Sequence, residues 1–116
     1  MKIGLIAMSG VRAHNEELTQ LGLTLPGFVD RNRIIASLPS LSLLTLAALT
    51  PARFEIEYQE IADLKKEKNF PSDFDLVAIS SYSAQIDQAY ELADHYQSKN
   101  IPVVLGGLHV SSLPEE

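Results

Sequence analysis

The 116-residue chain contains no cysteine and no tryptophan, and only 7% of its residues are aromatic. Without thiols it can form no disulfide, no cysteine-ligated zinc site and no iron–sulfur cluster, and it has no cysteine nucleophile. Basic residues are also few, since nine Lys and Arg stand against fifteen Asp and Glu, for a formal charge of −6. This acidic balance argues against a protein that binds nucleic acid through its phosphate backbone.

Long apolar runs are missing as well. The longest candidate, Leu41–Leu49, is much shorter than the ~18 residues that a membrane-spanning helix needs, and Ser42 and Thr45 interrupt it. The apolar run from Ile3 to Met8 has no convincing cleavage site after it, so a buried first strand is a better interpretation than a secretion signal. We therefore expect a cytoplasmic protein that does not associate with membranes.

What is present is typical of a globular domain, with 46% hydrophobic and 21% charged residues. At this length we expect one domain over residues 1–116, because a typical domain takes roughly 100 to 200 residues. The sequence shows no internal repeat and no interdomain linker.

Four segments are predicted as strands. Three are apolar without alternation, as in parallel strands covered on both faces: Ile3–Met8, Leu76–Ser80 and Ile101–Leu105. The fourth, Phe54–Tyr58, alternates between apolar and acidic residues and is predicted as an edge strand with one wet face.

Helical patterns lie between these strands. Leu41–Thr50 and the amphipathic Ala84–Lys99 are predicted as helices, Ala62–Lys68 is weakly helical, and Ser112 is a possible helix N-cap. Strands that alternate with helices predict an α/β fold with a parallel sheet and helices on both faces.

Small polar residues follow three of the strands. In open parallel sheets ligands bind beyond the carboxyl ends of the strands, and those ends carry Ser9 and Gly10, then Ser80, Ser81 and Ser83, then Gly106, Gly107 and His109. Two plainer interpretations stay open. The glycine pair could serve a turn that needs positive φ, and the serines could cap the next helix.

Several ligand classes are excluded at this edge. No G-x-G-x-x-G or Walker sequence is present. An aspartate-phosphorylated receiver would need an acid where Ser80 stands. No triad or metal-ligand spacing is visible, so we assign no catalytic residue and no protein metal ligand.

His95 is interpreted as a solvated surface residue. His14 lies in a long connection, about residues 10–40, and we expect this connection to cover part of the ligand mouth.

Three segments together resemble a known family. Leu38–Leu49, Phe74–Ser80 and Ile101–Val110, which runs on into Leu113–Glu116, resemble the helix and two strands of the N-terminal cobalamin-binding-type domain of radical S-adenosylmethionine enzymes. The resemblance covers about residues 38–116, and its specificity lies in the combination of segments.

The resemblance implies a flavodoxin-like (Rossmann-like) fold that holds cobalamin, and with it a cobalt ion, at the carboxyl edge of the sheet. By position, Ser80, Ser81, Gly106 and Gly107 would line the slot for the nucleotide tail of the cofactor, with His109 nearby. Glycines would let the flat tail approach the backbone, and serine hydroxyls would bond to its polar edge.

Two features depart from the family pattern. Where mutases and methionine synthases carry D-x-H-x-x-G, this chain has Arg12–Glu17 around His14, without the Asp and the Gly, so we assign no histidine ligand to cobalt. The C-x-x-x-C-x-x-C segment of the radical domain is absent, as is the fifth strand of the fold. The iron–sulfur cluster and S-adenosylmethionine would therefore belong to a C-terminal radical domain that is missing here, and the sheet would be truncated after its fourth strand.

The leading hypothesis is a cobalamin-binding domain that is not catalytic alone. One alternative is a degenerate, cofactor-free version that acts as a packing or substrate-gating module, and another is a small flavodoxin-like nucleotide-binding protein. Without a fifth strand, Ile101–Leu105 would form an apolar sheet edge, whereas Glu55 and Glu57 protect the opposite edge. We therefore expect a homodimer through the Ile101–Leu105 edge.

Overall fold

The computed structural model describes residues 1–8 and 39–116 of the chain. Its elements, in chain order, are β1 (Lys2–Met8), α1 (Leu41–Leu49), β2 (Glu55–Ile61), β3 (Leu76–Ser80), α2 (Ile86–Gln97), β4 (Val103–Gly106) and α3 (Leu108–Ser112). Short 3₁₀ turns at Leu64–Lys66 and Ser83–Gln85 precede β3 and α2.

The strands form one four-stranded sheet in the order β2-β1-β3-β4. Every neighbouring pair is parallel, with Ile6 opposite Gln59 on one side and opposite Ile79 on the other. This is the strand order of a flavodoxin-like fold over its first four strands. The predicted α/β class, the parallel sheet and the Rossmann-like topology are confirmed.

Strand β1 lies in the middle of the sheet, and both of its faces are covered. Leu5 and Ala7 pack with Leu43 of α1 on one face, whereas Ile6 and Met8 belong to a larger cluster on the other face. A strand buried on both faces needs apolar residues at every position, which explains the uninterrupted run from Ile3 to Met8.

Helix α2 covers the second face of the sheet. Its residues Ala89, Leu92 and Tyr96 are almost fully buried, and they pack in one cluster with Val77 and Ile79 of β3. Because α1 lies on the opposite face, the expected arrangement of helices on both faces is confirmed.

The amino edge of the sheet is held by Lys2. Its backbone N–H donates to Asp75 Oδ2 at 2.7 Å, and its Nζ lies 2.6 Å from Asp73 and 3.0 Å from Glu57. The hydrogen bonds to Asp73 and Glu57 raise the pKa of Lys2 above its usual value. Since this cluster lies at the end of the strands opposite the carboxyl edge, we regard it as structural.

The last helix differs from its prediction. It ends at Ser112, which was expected to cap a helix that began there, and it starts at Leu108 directly after β4. Gly107 has φ of 111°, which turns the chain sharply from the strand into the helix. The helix then stops near Pro114, because proline has no N–H to continue the hydrogen-bond ladder.

His95 also differs from its prediction. It is half-buried, and its ring lies 5.2 Å from that of Phe70 and 5.5 Å from that of Tyr96. Its buried Nε2 has no hydrogen-bond partner within residues 1–8 and 39–116. The prediction of a solvated residue was wrong, because the segment around Phe70 folds over this end of α2.

None of the helices in the described ranges is both long and apolar enough to cross a membrane.

Candidate functional site

The carboxyl edge of the sheet has its crevice between β1 and β3. The chain leaves β1 toward β2 on one side and leaves β3 toward β4 on the other, as the strand order shows. In open α/β sheets such a reversal separates the loops above two adjacent strands, and ligands bind there. The crevice opens above Met8 and Ser80.

The loops after β3 and β4 are joined at this edge. Ser81 N–H donates to the carbonyl oxygen of Gly106 at 3.2 Å, and a Cβ placed on Gly107 would stand 2.3 Å from the carbonyl oxygen of Ser81. Position 107 therefore requires glycine, both because φ is positive there and because the Ser81 carbonyl approaches so closely. The interpretation of the glycine pair as a positive-φ turn is correct for Gly107.

Gly106 has different surroundings. A Cβ there would meet a single neighbour, the carbonyl oxygen of Ile79 at 4.0 Å. Gly106 is paired with Ser80, which in turn is paired with Ala7 of β1. Ala7, Ser80 and Gly106 therefore form a row across β1, β3 and β4, and all three residues are small. The row lies on the face of the sheet that α1 covers at Ala7. The missing side chain at Gly106 leaves space for a flat group to lie against the strand end beside Ser80.

The three serines have different environments. Ser81 is buried, at 4% exposure, and its hydroxyl donates to the Tyr82 carbonyl at 3.0 Å. Ser80 is half-buried, and Ser83 is exposed. No serine side chain caps the 3₁₀ turn or α2. The helix-capping interpretation was therefore wrong, because Tyr82 and Gln85 occupy the cap positions.

His109 stands in a cluster that its sequence neighbours do not reveal. Its Nδ1 lies 3.1 Å from Ser83 Oγ, and its Nε2 lies 2.5 Å from Glu116 Oε2. The same Glu116 oxygen accepts a hydrogen bond from the Tyr90 hydroxyl at 2.8 Å. We call Ser83, Tyr90, His109 and Glu116 the His109 cluster.

The Glu116 carboxylate determines which nitrogen of the His109 ring carries the proton. An ionised carboxylate only accepts hydrogen bonds, so Nε2 of His109 carries a proton toward Glu116. In the neutral ring Nδ1 is then an acceptor, and it can accept a hydrogen bond from the Ser83 hydroxyl. The hydrogen bonds of the cluster therefore run from the exposed Ser83 through His109 to Glu116.

The cluster also shifts the pKa of the Glu116 carboxyl. The hydrogen bond from His109, and after it the one from Tyr90, lower the pKa of the Glu116 carboxyl below its usual value. Glu116 and Tyr90 were not expected at the site. The sequence shows a Glu115–Glu116 pair but not that the turn after α3 brings the second acid back to His109.

The structure brings six of the eight predicted site residues to one edge. Ser80, Ser81, Gly106 and Gly107 are adjacent, and Ser83 and His109 contact each other beside them. Ser9, Gly10, His14 and all but the last two residues of the expected cover over residues 10–40 lie outside the described residues. Across residues 1–8 and 39–116, no group of three or more His, Asp and Glu side chains could hold a metal ion.

A comparison with curated proteins shows a similarity over part of the chain. The chain is 38% identical over 76 residues to bacteriochlorophyllide d C-8(2)-methyltransferase of Chlorobaculum tepidum, and the match covers 66% of this chain and 17% of that protein. No protein-family model and no solved structure matches the chain. The chain is thus an α/β domain with a flavodoxin-like sheet, and it is similar to a small part of a methyltransferase.

Proposed function

We propose that this chain is a cobalamin-binding-type domain of a radical S-adenosylmethionine protein, and that it is not catalytic alone. It would bind the nucleotide tail of cobalamin at the carboxyl edge of the sheet. The iron–sulfur cluster and S-adenosylmethionine would belong to a C-terminal radical domain, which would be its partner. Bound cobalamin would supply methyl-transfer chemistry to the whole protein.

One observation carries the proposal. Ser80 and Gly106 stand opposite each other at the end of adjacent strands, and no described side chain fills the space in front of Gly106. A flat aromatic or sugar group could therefore lie against the backbone at that point. The similarity to a methyltransferase supports the same conclusion, because a cobalamin domain is suited to methyl transfer.

The polar groups beside this space fit the tail of the cofactor. Ser80 is half-buried and stands beside Gly106, so its hydroxyl is well placed to bond to a ligand in the slot. Ser83 and His109 offer a further hydroxyl and a ring nitrogen nearby. The Ser81 hydroxyl is already bonded to the Tyr82 carbonyl, so we assign Ser81 to the shape of the slot and Ser80 to its polar contact.

Cobalamin binding is tested directly with the 116-residue chain. The chain is incubated with hydroxocobalamin and passed through a gel-filtration column, and the visible absorption of the cofactor is followed. We expect the absorption to elute with the protein. We expect Gly106→Val to lose it, because the branched side chain occupies the space in front of the strand, while the circular dichroism spectrum stays native.

Ala48→Val is the matched control, because it adds the same branched group at an exposed position of α1. This variant should retain the cofactor. If the wild-type chain elutes without cobalamin, the cofactor-free packing or gating module becomes the better hypothesis. If Gly106→Val and wild type retain equal amounts, the slot lies elsewhere on the chain.

A further inference from the structure

A carboxylate stands at the β2 end of the row of small residues. Glu60 of β2 is paired with Ala7, and the pairing continues through Ser80 to Gly106. Residues paired across parallel strands place their side chains on the same face of the sheet, so Glu60 lies on the α1 face like the rest of the row. Because neighbouring strands are about 4.8 Å apart, the distance from Glu60 to Gly106 along the row is about 14 Å. The row thus has a small, open end at β4 and a charged end at β2.

The Glu60 carboxylate is held in place by Tyr58. The Tyr58 hydroxyl donates to Glu60 Oε1 at 2.9 Å, and it accepts the N–H of Ser40, the N-cap of α1, also at 2.9 Å. The side chain of Tyr58 packs against the cluster that contains Leu43. Burial raises the pKa of the Tyr58 hydroxyl, which therefore keeps its proton and donates it to Glu60. The start of α1 and the end of β2 together fix the position of the carboxylate.

Glu60 can accept more hydrogen bonds than the one from Tyr58. The two oxygens of a carboxylate offer about four lone-pair sites, and the Tyr58 hydroxyl uses one of them. Because Glu60 is half-buried, water competes for the remaining sites less than it does on an open surface. Such an acceptor suits neutral N–H and O–H donors of a ligand, and it repels anionic groups.

A ligand in the proposed slot would reach Glu60 over the edge of the sheet. Ala7 is buried and packs with Leu43 of α1, so the ligand cannot lie along the row at that strand. From the space at Gly106 it would pass Ser80 and the crevice above β1 before it meets Glu60. The group in contact with Glu60 is therefore a different part of the ligand from the one that lies against Gly106.

We propose that Glu60 accepts hydrogen bonds from the carboxamide groups on the ring of a cobalamin whose nucleotide tail lies in the slot at Ser80 and Gly106. This inference rests on the proposed function and adds to it a residue that determines the orientation of the cofactor. The carboxamides are neutral N–H donors, whereas the tail contains an anionic phosphodiester. Glu60 therefore holds the ring toward β2 and keeps the phosphodiester toward β4. Tyr58 is a positioning residue, because it acts through Glu60.

Replacement of Glu60 tests the contribution of its charge. Glu60→Gln keeps the shape of the side chain and can still accept from Tyr58, so its thermal unfolding should match that of wild type. In an absorption titration it should bind hydroxocobalamin about five- to tenfold more weakly, because a hydrogen bond to a charged acceptor is stronger than one to a neutral acceptor. Glu55→Gln is the matched control, since it removes the same charge at the exposed amino end of β2. It should bind the cofactor like wild type.

A second probe separates a ligand contact from a structural role of Glu60. Cobalamin monocarboxylates, in which one ring carboxamide is hydrolysed to a carboxylate, would bring a negative charge toward Glu60. We expect wild type to bind one or more of these derivatives about tenfold more weakly than hydroxocobalamin, because like charges repel. Glu60→Gln should lose most of this discrimination.

The failure of this inference differs from the failure of the proposed function. A wild-type chain that retains no cobalamin would overturn both. A wild-type chain that binds cobalamin, together with a Glu60→Gln variant of equal affinity or equal discrimination, would overturn the role of Glu60 alone and leave the cobalamin proposal standing.

Discussion

The carbonyl oxygen of Ser81 and the α-carbon of Gly107 approach so closely that a Cβ on Gly107 would stand 2.3 Å from that oxygen. The contact joins the loop after β3 to the loop after β4, and the 3.2 Å hydrogen bond from Ser81 N–H to Gly106 reinforces it. The geometry of the proposed slot therefore depends on a backbone contact that only glycine allows.

Replacement of Gly107 should destabilise the fold, whereas replacement of Gly106 should not. Gly107→Ala adds a methyl group at φ of 111° and against backbone, so we expect a loss of at least about 1–3 kcal/mol in the free energy of unfolding. Gly106→Ala is the matched control, since its Cβ would have its nearest neighbour at 4.0 Å. Urea unfolding measures both. Equal stability of the two variants would contradict the close approach of the loops.

Tyr96 should tolerate the loss of its hydroxyl. The side chain is fully buried, its hydroxyl has no hydrogen-bond partner among the described residues, and burial raises its pKa to about 12. Because a buried unsatisfied hydroxyl carries a desolvation penalty, we expect Tyr96→Phe to gain up to about 1 kcal/mol in unfolding free energy. Tyr96→Ala should lose about 3–5 kcal/mol, because it leaves a cavity in the core. Thermal unfolding of the three proteins decides, and a destabilised Tyr96→Phe would reveal an unseen partner.

The Glu116 carboxyl should titrate below its usual pKa of 4.5, mainly because His109 donates to it. A lowered pKa in the folded state means that the His109 cluster contributes stability above pH 4.5. That contribution is lost as the pH falls through the lowered value. The carboxyl carbon resonance of Glu116, followed by NMR, should therefore show a midpoint below 4.5.

His109→Phe should return that midpoint toward 4.5, because the first and largest cause of the shift is removed. Tyr90→Phe should also raise the midpoint of Glu116, because it removes the hydroxyl that is the second donor to this carboxylate. An unchanged midpoint in His109→Phe would show that the Glu116 carboxylate does not contact the imidazole in solution.

Leu43 should contribute most to the attachment of α1. Of the residues Leu41–Leu49 it is the buried one, at 3% exposure, and it packs with Leu5 and Ala7 of β1. We expect Leu43→Ala to lose about 2–5 kcal/mol in unfolding free energy. Leu49→Ala, at 76% exposure, should change it by less than about 0.5 kcal/mol. If chemical denaturation gives equal losses for both, α1 does not pack on the sheet as described.

Local pattern was sufficient to predict the strands and the class of fold. The uninterrupted apolar run at β1 implies burial on both faces, and the alternation of acids in β2 implies an edge. Both properties are set by the period of two along a strand, so they can be recognised without the rest of the molecule. The turn at Gly107 could be predicted for the same reason, because positive φ is a local requirement that glycine meets.

The contacts of the candidate site required the tertiary structure. Sequence placed Ser83 and His109 after different strands, but only the parallel pairing of β3 with β4 brings them within 3.1 Å. Glu116 lies in the same cluster because α3 ends at Ser112 and the chain then turns back toward His109. His95 became half-buried because a distant segment at Phe70 packs against it. The sequence by itself determined which residues form strands and which edge carries the small polar groups, since both depend on local periodicity. The tertiary structure decided which of those groups touch, because such contacts depend on long-range packing that no local pattern encodes.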